Sequence, residues 1–107
     1  MIAVLFEAYI MPAGQARYLQ LASELKPLLT GIDGFISIER FQSITAPEKI
    51  LSLSWWRDEN AVLAWKKNAF HRAAQDEGRK SLFAFYRIRI TNIIREYSSH
   101  AGGNPDV

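Results

Sequence analysis

A strand that is apolar on both faces needs cover on both, and this chain of 107 residues carries two such strands. In the first, residues 2–11, Ile2, Val4, Phe6, Ala8 and Ile10 share one face, and Ala3, Leu5, Glu7, Tyr9 and Met11 share the other. The second, from Phe35 to about Ser43, sets Ile36 and Ile38 against Phe35 and Phe41. A third, Lys49 to Trp56, alternates Leu51, Leu53 and Trp55 with Ser52, Ser54 and Trp56. Residues 35–56 read as a hairpin across the turn Thr45-Ala46-Pro47-Glu48.

The spacing changes between strands. Tyr18, Leu21, Ala22, Leu25, Leu28 and Leu29 predict a helix over about 15–30. Pro27 is expected to kink its last turn or end it early, and Gly31-Ile32-Asp33-Gly34 is the exit turn. Asp58 suits an N-cap for a helix through Ala61, Val62, Leu63 and Trp65. Asn68 caps a second one through Ala74, so two short helices with a break near Lys66–Asn68 are expected, Gly78 lying near the end. A last strand is read from Ser81 to about Tyr97, with a β-bulge at Asn92-Ile93-Ile94, where the alternation falters. Residues 1–97 form one domain and 98–107 a flexible C-terminal tail.

The order βαββαβ is the ferredoxin-like α+β arrangement: a four-stranded antiparallel sheet with helices on one face. Leaving the other, apolar face in water would forfeit roughly 25 cal/mol per Å². The simplest cover is a second copy, so a homodimer through the sheet face is expected.

Composition narrows the function classes. At 49% apolar residues the chain is not generally disordered. The absence of cysteine removes disulfides, thiolate metal sites and a cysteine nucleophile. The first residues lack the basic start and cleavage site of a signal peptide, and no apolar run approaches the roughly 20 residues that span a bilayer. A cytoplasmic protein without membrane contact is expected. The net charge is only +2, and the basic residues are interspersed with acids and apolar positions, which does not suit a nucleic-acid surface.

Several segments together resemble a known family. Asp33-Gly34-Phe35-Ile36-Ser37 with Glu39, Leu51-Ser52-Leu53-Ser54-Trp55-Trp56-Arg57-Asp58-Glu59, Ala64-Trp65, Phe70-His71-Arg72-Ala73-Ala74-Gln75 and Tyr86-Arg87-Ile88 look like the antibiotic biosynthesis monooxygenase (ABM) family, over about residues 2–97. The resemblance implies the dimeric α+β barrel, in which two ferredoxin-like subunits pack sheet to sheet. It also implies a monooxygenase that oxidises a flat aromatic, phenol- or quinone-type small molecule with O2 and without a cofactor. Haem-degrading relatives make haem the alternative cofactor, and a non-catalytic small-molecule binding module is the third reading.

His71 is a titratable group suited to acid–base work near neutral pH. The quinone-forming relatives carry a tyrosine at about this place. A surface histidine at a helix start is the other reading. Trp65 falls where the resemblance puts a cavity tryptophan on which an aromatic substrate stacks, although helical periodicity alone makes it core. Glu7 interrupts an apolar strand, so it either faces a pocket or pairs with Arg87 or Arg89. Trp56, Phe70 and Tyr86 are candidate substrate contacts, each also readable as core. The haem-degrading relatives share Trp65 but place their axial histidine at Gln75 and an asparagine at Glu7; of that trio only Trp65 is retained. Glutamine is not a normal iron ligand, which leaves His71, one turn earlier, as the imidazole for iron. No cluster of His, Asp and Glu suggests a metal.

Overall fold

The alternating segments do become strands, and their pairing sets the position of everything else. In the computed structural model, which describes residues 1–99, β1 (Ile2–Ile10) is central and antiparallel to both β3 (Lys49–Trp56) and β4 (Phe83–Asn92). β2 (Phe35–Gln42) pairs with the far side of β3, giving the order β2-β3-β1-β4. α1 (Gln15–Thr30), α2 (Glu59–Lys66) and α3 (Ala69–Glu77) pack on one face, so the fold is the expected ferredoxin-like one. No helix among the described residues is long and apolar enough to cross a membrane. The expected tail at 98–107 lies, from His100 onward, outside the described residues.

Local chemistry places the helix starts. Asp58 accepts the Ala61 N–H at 2.9 Å and opens α2, and Asn68 accepts the His71 N–H at 3.0 Å and opens α3. Arg57 reaches both Asp58 and Asp33, joining this corner to the turn after α1. In that turn Gly34 has φ of 93°, and a Cβ there would meet the Ala61 methyl at 2.7 Å. α1 runs through Pro27 to Thr30 and does not end early. The ring removes one N–H, but the last carbonyls still find donors. The Thr30 hydroxyl donates to the Pro27 carbonyl, the Gly31 N–H to the Leu28 carbonyl and the Ile32 N–H to the Leu29 carbonyl.

The last strand is shorter than its sequence suggests. Residues 78–82 form a π-helical turn, fixed by Ser81 Oγ donating to the Glu77 carbonyl and by the Met11 N–H donating to the Leu82 carbonyl. At its other end β4 stops at Asn92, the residue opposite Ile2, because β1 offers little further edge to pair with. The irregularity also sits elsewhere. Phe85 faces Tyr9 and Phe83 faces Ile10, so Ala84 is the extra residue.

One core cluster joins Ile2, Leu29, Trp56, Ala61, Val62 and Trp65. Phe35 packs against it, edge-on to Trp56 with ring centroids 5.1 Å apart. Phe35 was expected on the opposite face. A register shift between Phe35 and Ser37 turns it inward. The face away from the helices carries Leu5, Leu51, Leu53 and Trp55, all half-buried, with Phe41 and Phe85 more exposed.

Candidate functional site

Two serines open the site. β3 turns Ser52 and Ser54 toward the helices and its leucines away, and both serines are buried, at 8% and 6% exposure. Cross-strand register puts them in the middle of two rows: Arg40-Ser52-Phe6-Ile88 and Ile38-Ser54-Val4-Ile90. A serine reaches too short a distance from the sheet to meet the helices above it. A cavity of about 380 Å³ lies there, within the roughly 300–1,000 Å³ of small-molecule pockets. Leu25 and Leu29 of α1, Val62 and Trp65 of α2, and His71 and Gln75 of α3 form its walls. The Trp56 indole N–H donates to Ser54 Oγ at 2.8 Å, which satisfies both buried groups.

His71 and Trp65 come together in the wall. The Asn68 cap fixes the first turn of α3 and lays the imidazole on the indole, with ring centroids 4.6 Å apart and planes 27° apart. Burial pushes the His71 pKa below the ordinary histidine value; the nearby Trp65 carbonyl opposes this more weakly. That carbonyl does not complete a hydrogen bond to Nδ1, which is buried without a partner. Burial therefore favours the neutral form of the imidazole.

The other candidates are distributed unequally. Trp56 lines the cavity and is 2% exposed. Tyr86 stacks on Phe6 at 6.0 Å, and Phe6 lines the cavity. Phe70 is 68% exposed and is not among the lining residues. Glu7 is on the far face of the sheet, because alternate residues of β1 point away from the helices. There Arg89 lies 2.9 Å, Arg87 3.1 Å and Lys49 3.6 Å from its carboxylate. The Arg87 hydrogen bond, aided by the charges of Arg87, Lys49 and Arg89, holds the Glu7 pKa below the usual carboxylate range despite partial desolvation. Glu7 thus pairs with arginine and does not line the cavity.

Sequence reasoning passed over Arg40. It lines the cavity from β2, and its Nε is buried without a hydrogen-bond partner. Its place two residues after Ile38, on the face that points to the helices, was the available signal. No group of three or more His, Cys, Asp or Glu among the described residues could hold a metal.

The residues present do not fit haem. Gln75 lines the wall with an amide, not an imidazole. The cavity's imidazole, His71, has a buried Nδ1. Ligation through Nε2 would leave that nitrogen without the hydrogen-bonded partner that normally orients a ligating ring.

Residues 1–77 match the family model described as antibiotic biosynthesis monooxygenase. The protein named jasmonate monooxygenase ABM of Pyricularia oryzae is 39% identical over 100 residues, 94% of this chain and 46% of that protein. The chain therefore spans about half the length of that curated relative. Among solved structures, a candidate antibiotic biosynthesis monooxygenase from Deinococcus radiodurans superposes with a TM-score of 0.83 at 13% identity, over 94% of this chain and 99% of that one. A conserved protein from Methanosarcina mazei gives 0.77 at 19% identity, over 84% and 89% of the two chains. At these identities the structures establish the fold alone.

Proposed function

The chain belongs to the antibiotic biosynthesis monooxygenase family, and we propose that it is a cofactor-independent monooxygenase acting on a flat aromatic phenol. The observation that carries this reading is the half-buried imidazole of His71, stacked on Trp65 in the wall of a largely apolar cavity, where burial favours its neutral form. A phenol is a poor reductant until it loses its proton. Neutral His71 takes that proton, and the apolar walls keep the resulting anion electron-rich. Trp65 orients the imidazole on one face; the substrate ring packs against Trp56 and the remaining apolar wall.

The chemistry balances without an outside reductant. A phenol with a ring C–H gives its phenolic proton to His71 and its electrons to O2. One oxygen atom forms a new C–O bond at that ring carbon, and the other leaves as water. The C–H hydrogen is lost and the product is a quinone. The substrate supplies all four electrons that O2 accepts.

The active unit is a homodimer packed through the sheet face away from the helices, in the manner of two halves of a barrel. Leu5, Leu51, Leu53, Trp55, Phe41 and Phe85 give that face an apolar character that water does not favour. The name of the Pyricularia oryzae relative says that it acts on jasmonate; the half-length overlap keeps that substrate with the relative.

Oxygen uptake with 1-naphthol and larger polycyclic phenols tests the reading. One quinone per O2 is expected, with turnover lost in His71→Phe and cut at least about tenfold in Trp65→Ala. Full turnover in both variants overturns the assignment.

A further inference from the structure

We propose that the cavity selects a carboxylate-bearing apolar molecule, with Arg40 as the residue that binds the carboxylate. The inference rests on the cavity being the substrate site, and it adds an acid group to the substrate, whether the apolar body is a phenol or aliphatic.

The argument starts from charge. The cavity lining contains Arg40 and Lys66 but no Asp or Glu. Lys66 is exposed at the end of α2 and remains hydrated. Arg40 is not in that position. It is half-buried on β2, its Nε has no partner, and no carboxylate among the described residues forms an ion pair with it. A lysine so placed can shed its proton and its charge; a guanidinium cannot. The Arg40 Nε is buried on the cavity lining with no acceptor among the described residues, and an anion in the cavity would supply one.

The type of anion follows from the donors. A guanidinium offers a planar fork that matches a carboxylate with two parallel N–H···O bonds, and a single phenolate oxygen uses that fork less well. Ser52, directly opposite Arg40 across the β2–β3 pair and on the same face, adds a hydroxyl beside it. The rest of the lining is chiefly apolar, with Trp65 and His71 entering from the helices above the sheet floor that carries Arg40. One end of the ligand is therefore an anion over β2, and the body lies along the apolar floor toward Phe6, Val4 and the β4 residues Ile88 and Ile90.

Equilibrium binding under anaerobic conditions tests this independently of turnover. The probes are 1-hydroxy-2-naphthoate, its primary amide, and an aliphatic cyclohexyl alkanoate with its own amide. Calorimetry gives the affinities, and quenching of tryptophan emission reports occupancy next to Trp56 and Trp65. At least one acid is expected to bind the parent about tenfold or more tighter than its amide. Arg40→Met should erase that preference while leaving amide affinity within about twofold, and Arg40→Lys should restore part of it. Near-UV circular dichroism verifies folding of each variant, and Arg40→Lys carries the test if Arg40→Met does not fold. Equal binding of acid and amide, equal losses for both in the Arg40 variants, or no binding of either acid overturns the inference. If charge selectivity is found but no phenol is oxidised, the binding assignment stands and the oxygenase reading falls.

Discussion

The two faces of the sheet carry the same kinds of residue and treat them in opposite ways. On the face away from the helices, Glu7 gathers Lys49, Arg87 and Arg89 into one cluster. On the helix face, Arg40 has a buried Nε and no carboxylate partner among the described residues. The apolar residues are reversed too. β3 gives its leucines to the face without helices and its serines to the face with them. A sheet built only to make a stable monomer would do the opposite, because buried leucines stabilise a core more than buried serines. The difference separates an apolar face without helices from a cavity beneath them.

The largest expected effect breaks that surface. Leu5 and Leu53 are directly opposite each other across β1 and β3. Leu5→Asp places an unpaired charge in the apolar patch and is expected to turn dimers into monomers at micromolar concentration, read by light scattering. Retention of dimers would move the interface elsewhere.

Next are the paired tryptophans of β3. Trp56 is in the core and satisfies Ser54, so Trp56→Ala should cost about 3–5 kcal/mol in denaturant unfolding. Trp55 points to the other face, and Trp55→Ala should weaken dimerisation more than it destabilises the subunit. Equal effects on both measurements would erase the distinction between the faces.

A smaller effect comes from Glu7. Glu7→Gln leaves three cations without their counter-ion and is expected to weaken the dimer about tenfold at low salt, as like charges repel. The pH dependence has a fixed sign. A carboxylate whose folded pKa is depressed contributes stability above its unfolded value and loses it as pH falls through the folded one. The unfolding stability of the parent should therefore fall below about pH 4, and that of Glu7→Gln should lack this component.

The smallest effect belongs to His71. Burial lowers its folded pKa, so the unfolded chain binds the proton more readily. Stability should decline as pH falls below about 6.5, the unfolded histidine value, and level off below the folded one. His71→Phe should remove that slope from a series of melting temperatures. In the parent, phenol oxidation should rise with pH through the same depressed value.

Much of this was legible in the order of residues. Alternation gave β1 to β3, the three- and four-residue spacing gave α1, and Asp58 and Asn68 marked the two helix starts where they form. His71 and Trp65 were singled out separately, yet nothing in their spacing says that the rings stack. Contact between them depends on the angle at which α3 leaves the Asn68 cap. β4 was read too long because its own alternation continues, whereas its length is set by the edge that β1 provides. Phe35 was assigned to the wrong face because one register shift reverses parity.

Element order and two-sided strands, and with them the need for cover on both faces of the sheet, follow from the order of residues alone. It placed Glu7 with Leu5 and Tyr9 on one side of β1 by parity alone. Packing put the serines of β3 beneath the helices and Arg40 beside them, with no counter-ion among the described residues. The physical reason is that period-two alternation says which side chains share a face but not what that face meets. That depends on packing between residues far apart in the chain, where a short side chain leaves a space and a charge either finds its partner or keeps one site open for it.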